Sequence, residues 1–191
     1  MTAMDEQVRA LLQDAEEKMK QAVQATRREL AAIRTGRAHA SLLDRVVVDY
    51  YGTEMPVNQL ASISVPEARL LVIQPWDKNA VKLIEKAILK SDLGLTPSSD
   101  GTVVRIQIPP LTEERRKELA RLARKEAEDK RVAVRNVRRD ANDAIKKLEK
   151  DGQLSEDVAR RTQQQIQELT DRYIQEIDAL LAAKEKEILE V

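Results

Sequence analysis

Val8, Leu12, Ala15, Met19, Ala22, Thr26, Leu30 and Ile33 follow one another in steps that mostly alternate between four and three residues. That spacing places them on one narrow stripe of an α-helix, with polar side chains on the other faces. The same pattern returns over Leu119, Leu122, Ala123, Val134, Val137, Ala141, Ala144 and Leu148, and again over Val158, Thr162, Ile166, Leu169, Tyr173, Ile177, Leu180 and Ile188. None of the three stripes is wide enough for a fully buried helix, so each needs partners along one seam. Between them the periodicity changes. Arg45–Tyr51, Arg69–Gln74 and Val103–Ile108 are short runs rich in β-branched and apolar residues, and read as strands. Thr53–Val57 and Ala61–Val65 are weaker strand candidates, and Asn79–Lys90 reads as a short amphipathic helix with Val81, Ile84 and Ile88 inward and Asp77 as its N-cap.

Proline and glycine mark the boundaries. All six prolines lie between residues 35 and 111, as do four of the five glycines; the remaining one is Gly152. Because these residues punctuate regular structure, the chain reads as an α+β protein with a discontinuous three-helix bundle over residues 1–34 and 112–191. A small β/α/β domain over residues 35–111 is inserted into it. The second long helix begins after Pro109-Pro110, with Leu111 as a hydrophobic staple, Thr112 as N-cap and Glu113-Glu114 at the positive helix end. It ends at Asp151-Gly152, where glycine supplies a left-handed turn, and the third restarts with Ser155 as N-cap. A helix of about 39 residues at 1.5 Å each is on the order of 58 Å long, so the bundle is an elongated rod. Spacing this regular is also compatible with a coiled-coil dimer.

The chain crosses between the two predicted domains twice, at Arg34-Thr35-Gly36-Arg37 and at Pro109-Pro110. One crossing contains Gly and the other Pro-Pro. Together they form a hinge or, equally, two stiff connectors that hold a fixed angle.

Composition favours helices: charged residues make up 35% and aromatics 2%, with no Phe. The absence of Cys rules out a disulfide framework and thiolate metal ligation. No run approaches the roughly 18 apolar residues of a membrane span, and the N-terminus lacks a signal-peptide layout. The expectation is a soluble cytoplasmic protein that does not engage a membrane. Formal net charge is zero, but it is an average. Residues 112–150 carry fourteen basic and nine acidic groups, net +5, whereas residues 151–191 carry five basic and ten acidic, net −5.

The basic excess has a direction. On a helical wheel of about 100° per residue, Arg124, Arg131, Arg135 and Arg138 fall within about 60° of one another. Arg121, Arg139, Asn142 and Lys146 flank them, and Glu128 is the one acid inside the row. Leu119, Val137, Ala141 and Leu148 lie on the other side, which predicts arginines facing away from the seam. Arginine is a planar, permanently charged fork that matches phosphate oxygens. A row at one-turn spacing is suited to follow a nucleic-acid backbone by shape rather than by base sequence. The competing reading is a solvated stripe, or one paired with the acids of the third helix.

Catalytic patterns are missing: there is no P-loop, no HExxH and no glycine-rich dinucleotide turn. The single His39 has no second His or Cys with which to hold a metal. Neither an enzyme nor a cofactor is expected. Trp76 is either a contact residue or core of the small domain, and of Tyr50 and Tyr51 one should face inward and one outward.

The junction Ile33-Arg34-Thr35-Gly36-Arg37-Ala38 resembles the ribosome recycling factor family. So do Leu43-Asp44 running into Val48-Asp49-Tyr50-Tyr51-Gly52, Gln59-Leu60-Ala61-Ser62, Ser91–Pro97, Pro109–Arg116 and Arg131–Asp143. These matches span almost the whole chain in order. The resemblance implies an L-shaped monomer that binds the post-termination ribosome and, with elongation factor G and GTP, promotes subunit dissociation. GTP would be hydrolysed by that partner. It also implies contact between large-subunit ribosomal RNA and Arg131, Arg135, Arg138 and Arg139, with Arg124 a further candidate. Thr35, Gly36, Pro109 and Pro110 would couple the small domain to the elongation factor. The alternatives from other classes are a coiled-coil adaptor and a general RNA chaperone.

Overall fold

The structure is a computed structural model that describes residues 2–190. It divides into two compact units, one built from the chain up to Ile33 together with Glu114–Glu190, the other from Arg34–Glu113.

The first unit consists of three long helices: α1 (Ala3–Ala32), α3 (Glu113–Lys150) and α4 (Glu156–Glu190). Their ends follow local chemistry. Thr2 caps α1 through a reciprocal box: its hydroxyl accepts from the Asp5 amide at 3.1 Å, and the Asp5 carboxylate accepts from the Thr2 amide at 3.1 Å. At the end of α3, Gly152 has φ +75°, its amide donates to Glu149 O at 3.0 Å and the Gln153 amide donates to Leu148 O at 2.9 Å. This paired closure satisfies two carbonyls left over at the helix end and depends on the left-handed residue. Ser155 then caps α4, its hydroxyl accepting from the Val158 amide at 3.2 Å.

The three helices bury Ala15 of α1, Ala141 and Ile145 of α3, and Ala159 and Ile166 of α4 around one shared core. Met19, Tyr173 and Ile177 are buried further along the same unit. The Tyr173 hydroxyl donates to Glu16 across α1 and α4 at 3.1 Å. On the opposite flank Lys130 reaches from α3 to Glu29 of α1 at 2.7 Å. A hydrogen bond with Glu126, followed by one from Lys130, holds the Glu29 carboxyl below its ordinary range; the same Glu29 contact pushes Glu126 up.

Two stripes differ from expectation. On α4 it is Leu181 that is buried, while Leu180 is partly exposed, and Lys184 lies buried with its ammonium 3.4 Å from Glu187. On α3, Leu122 is 44% exposed and Ala144 is exposed, whereas Ala127 and Ile145 are fully buried. Leu119, Val137 and Leu148 alone centre the α3 stripe too far round the helix. With Ala127 and Ile145 included, the buried face turns by about 40° toward the arginines.

In the second unit, β1 (Val47–Tyr50) and β2 (Thr53–Pro56) form an antiparallel hairpin. Its two-residue turn, Tyr51-Gly52, has φ +51° and +85°, the double left-handed geometry that suits the twist of a hairpin. A second sheet has the order β3-β4-β6-β5, all antiparallel, from β3 (Ala61–Glu67), β4 (Leu70–Pro75), β5 (Pro97–Ser99) and β6 (Val104–Gln107). Helix α2 (Ala80–Lys90) completes the unit, and Val48, Leu71, Ile73, Ile84, Ile88, Val104 and Ile106 form its core. Strand β5 has no periodic signal: it is three residues long, begins with proline and lies at a sheet edge, where no ladder donor is lost. Asp77 does not cap α2 as expected. The capping position is Asn79, and Asp77 accepts from the Asn79 amide at 3.0 Å and from the Tyr50 hydroxyl at 2.7 Å. Tyr50 is thus half-buried and Tyr51 is 71% exposed, as one-in, one-out spacing requires.

Asp100 yields a pH prediction. Its carboxylate accepts from the Val103 amide at 3.0 Å, the Thr102 amide at 2.9 Å and Arg105 at 2.9 Å, which together pull its pKa from 3.8 down to about 2. A depressed carboxylate stabilises the folded state above its unfolded value and ceases to do so as pH falls through its folded value. The small unit should therefore lose stability on acidification from 3.8 toward about 2, and Asp100→Asn should remove that part of the acid limb. Denaturant titrations at stepped pH, read through Trp76 fluorescence, measure it; parallel acid limbs in both proteins would refute the assignment.

Among the described residues no helix is long and apolar enough to cross a membrane, and no group of three or more His, Cys, Asp or Glu is placed to hold a metal ion.

Candidate nucleic-acid interface

All five candidate arginines lie on α3, but not in one environment. Arg131 is the most enclosed, with 19% of its side chain exposed. Its Nε donates to Asp178 of α4 at 2.6 Å and its terminal nitrogen to Glu128 at 2.9 Å. Burial opposes the Arg131 charge, and hydrogen bonds to Asp178 and Glu128 outweigh it, so its pKa is raised. The other oxygen of Glu128 accepts from Arg135 at 3.2 Å. The Glu128 carboxyl is accordingly held below its ordinary range, first by the Arg131 hydrogen bond and, against slight burial, by Arg135.

Arg138 donates to Gln167 of α4 at 3.3 Å, and Arg124 stands 3.5 Å from Glu185 of α4. Arg139 is mostly exposed, with its nearest acid, Asp140, at 3.8 Å. The expectation that the row faces away from the seam therefore holds for Arg135 and Arg139. It fails for Arg124, Arg131 and Arg138, which reach onto α4. The rotation of the buried face explains this: the row borders the α3–α4 groove instead of standing opposite the core. Part of the acidic surplus of α4 meets the basic surplus of α3 across that groove, and Asp178 was not legible as a partner because it lies 47 residues from Arg131. The general signal, an acidic third helix, was present.

The exposed ion pairs of Arg124, Arg135 and Arg139 are screened and contribute about 0–1 kcal/mol each. They therefore restrain the guanidiniums loosely, and a phosphate can compete for them. Arg124, Arg135 and Arg139 form the exposed part of the row, Arg138 is half-buried against α4, and Arg131 is its anchored end.

The junction residues lie where the chain passes between the two units. Arg34 is exposed, Thr35 is buried, Gly36 has φ +79° and Arg37 is half-buried; Pro109 and Pro110 are exposed between β6 and α3. His39 is exposed ahead of a 3-10 turn at Ala40–Leu43. Trp76 is 70% exposed, so it is not part of the small unit's core.

Comparison with known proteins covers nearly the whole chain. The family model described as "Ribosome recycling factor" matches residues 26–189. A ribosome-recycling factor of Geobacillus kaustophilus is 65% identical over 181 residues, 95% of this chain and 98% of that protein. One from Halalkalibacterium halodurans is 62% identical over 181 residues, with the same coverage. The solution structure of a ribosome recycling factor superposes with a TM-score of 0.69 at 48% identity, covering 96% of this chain and 98% of that one. A second neighbour, at TM-score 0.60 and 48% identity, covers 95% of this chain and 98% of its own; it comes from models of the T. thermophilus ribosome recycling factor and the E. coli elongation factor G bound to the E. coli post-termination complex. With the family model matching most of its length, this chain belongs to the ribosome recycling factor family.

Proposed function

We propose that this chain is a translation factor that binds the post-termination ribosome and, with elongation factor G and GTP, promotes separation of the subunits. The observation that carries this reading is the end-to-end match to ribosome-recycling factors, 65% identical over 181 residues. The arginine row supplies the physical means of attachment: Arg135, Arg138 and Arg139, with Arg124 and the anchored Arg131, meet phosphates of large-subunit ribosomal RNA. The protein works in the cytoplasm as a monomer. Its helical stripes support this, because Met19, Ile166, Tyr173 and Ile177 are buried within a single chain and require no second copy. It performs no chemistry itself; GTP hydrolysis belongs to the partner.

Residues 1–34 with 112–191, and 35–111, act as separate mechanical parts. Arg34, Thr35, Gly36, Arg37, Pro109 and Pro110 form the joint between them. The bundle is held to RNA by charge while the smaller domain is moved by the elongation factor.

The direct test is light scattering of post-termination ribosomes mixed with this protein, a cognate elongation factor G and GTP. A fall that needs all three components supports the reading. No fall, alongside a working control factor, overturns it, and preference for free RNA over large subunits would favour a general RNA chaperone. The joint has its own test in Gly36→Pro. Proline holds φ near about −65°, far from the +79° observed. Proline cannot adopt that φ, so the junction backbone must rearrange locally. The variant should bind large subunits within about twofold of the parent yet split ribosomes about tenfold or more slowly, that rearrangement falling on the moving step. Equal losses in both assays, with a native circular dichroism spectrum, would remove the hinge role.

A further inference from the structure

Glu128 occupies an unusual place. It is the single acid within the arginine row, and each of its two oxygens faces a different guanidinium: Oε2 at 2.9 Å from Arg131 and Oε1 at 3.2 Å from Arg135. A carboxylate bridging two arginines in this way presents the same pair of acceptor oxygens that a backbone phosphate would. The two arginines are not equally dependent on it. Arg131 also has Asp178, at 2.6 Å from the neighbouring helix, which keeps it in position when Glu128 leaves. Glu128 itself is half exposed, with 53% of its side chain open to solvent, so swinging it into water carries little desolvation cost.

We propose that Glu128 is a built-in stand-in for phosphate. It occupies Arg131 and Arg135 in the free protein, is displaced when RNA docks, and so sets the threshold that an RNA must exceed. The inference rests on the ribosomal-RNA reading of the arginine row and deepens it by naming a residue that tunes affinity by masking. Its physical consequence is selectivity. A polyanion offering one phosphate must compete with a carboxylate already in place, whereas a surface that engages Arg138 and Arg139 as well recovers the displacement cost from contacts Glu128 does not mask. Glu128 is in this sense a positioning residue, acting through Arg135.

The experiment measures affinity of the full chain for purified large ribosomal subunits across a salt series. Glu128→Gln, and Glu128→Ala as a second variant without hydrogen-bonding capacity, should bind about two- to fivefold more tightly, the range set by an exposed ion pair. The slope of log affinity against log salt should steepen by less than the about 0.7–0.9 of one phosphate contact, because the same phosphates are engaged and only the salt-screened Glu128 pairs are removed. Melting temperature should change little, since Glu128 is itself 53% exposed and Asp178 still pairs with the enclosed Arg131. Asp129→Asn provides the control: it removes the same charge one residue away, on an exposed position about 100° round the helix, and should leave affinity unchanged. In an Arg135→Ala background the gain from Glu128→Gln should shrink, because only Arg131 then remains to be unmasked.

Unchanged or weaker binding by the Glu128 variants, while Arg135→Ala and Arg138→Ala still weaken it, overturns the masking role and leaves the RNA interface standing. An equal gain from Asp129→Asn, or a gain undiminished without Arg135, shows general repulsion and also overturns it. Loss of neither arginine affecting binding overturns the interface itself, and the masking role with it.

Discussion

Ile145→Ala should lower the unfolding free energy of the helical unit by about 2–5 kcal/mol, the range for removing a large aliphatic side chain from a packed core. Ile145 is fully buried where α1, α3 and the start of α4 meet, in contact with the cluster that holds Ala15, Leu154, Ala159 and Ile166. Helices on all sides cannot collapse easily into the void, which favours the upper part of that range. Against a total stability of about 5–15 kcal/mol for an ordinary domain, the variant is expected to be marginal at growth temperature. Leu122→Ala is the matched control. Leu122 is 44% exposed on the same helix, and its truncation should cost no more than about 0.5 kcal/mol. Urea titrations followed by circular dichroism give both values, with a shifted midpoint and unchanged slope marking a true stability effect. Equal losses at the two positions would mean that the buried face of α3 is centred on Leu122.

The second large effect concerns binding. Replacing Arg135, Arg138 and Arg139 together by Ala should weaken attachment to large ribosomal subunits roughly a hundredfold at low salt, with about 1 kcal/mol from each exposed charge-assisted contact. The more diagnostic quantity is the salt slope, which should become shallower by about two to three, as three phosphate contacts and their released counterions are lost. Arg138→Ala alone should take away about one such unit. Stability should change little, because Arg135 and Arg139 contribute only screened surface pairs and the half-buried Arg138 a single hydrogen bond to Gln167 at 3.3 Å. Arg131→Ala should behave differently. It leaves Asp178 and Glu128 without their shared guanidinium, so a lower melting temperature should accompany any loss of affinity. A full salt slope in the triple variant would refute the interface, whatever the change in affinity.

These two predictions fall on either side of one misjudged angle. The period of the α3 stripe was readable, but its centre was not. Leu119, Val137 and Leu148 are large and draw the inferred seam toward themselves, while Ala127 is small and Ile145 lies among Lys146, Lys147 and Asp143. Which side of a long amphipathic helix is buried is decided by the neighbours that cover it, and two neighbours, not one, cover α3. The same cause places Leu181 rather than Leu180 in the core of α4. Turn chemistry, by contrast, transferred at the α3–α4 connection, though not at Asp77 ahead of α2. Gly152 adopts φ +75° and Ser155 caps α4, because capping depends on a few consecutive residues and little else.

By itself the sequence determined the things that local physics controls. The alternating fours and threes demanded long one-sided helices. The confinement of proline to residues 35–111 demanded a break of texture there. The sequence has no phosphate-binding loop and a single histidine with no cysteine, and its distinctive feature is the basic surface of α3. The order of the family motifs, from Ile33 to Asp143, named the family. Only the tertiary structure decided which arginines are held and by what. Arg131 meets Asp178 across 47 residues, and Glu128 divides its two oxygens between Arg131 and Arg135. A wheel records direction around one helix, whereas an ion pair depends on the distance between two. That distance is set when α3 and α4 pack, and it separates a row of like charges into members bonded to α4, Arg124, Arg131 and Arg138, and members that are not, Arg135 and Arg139.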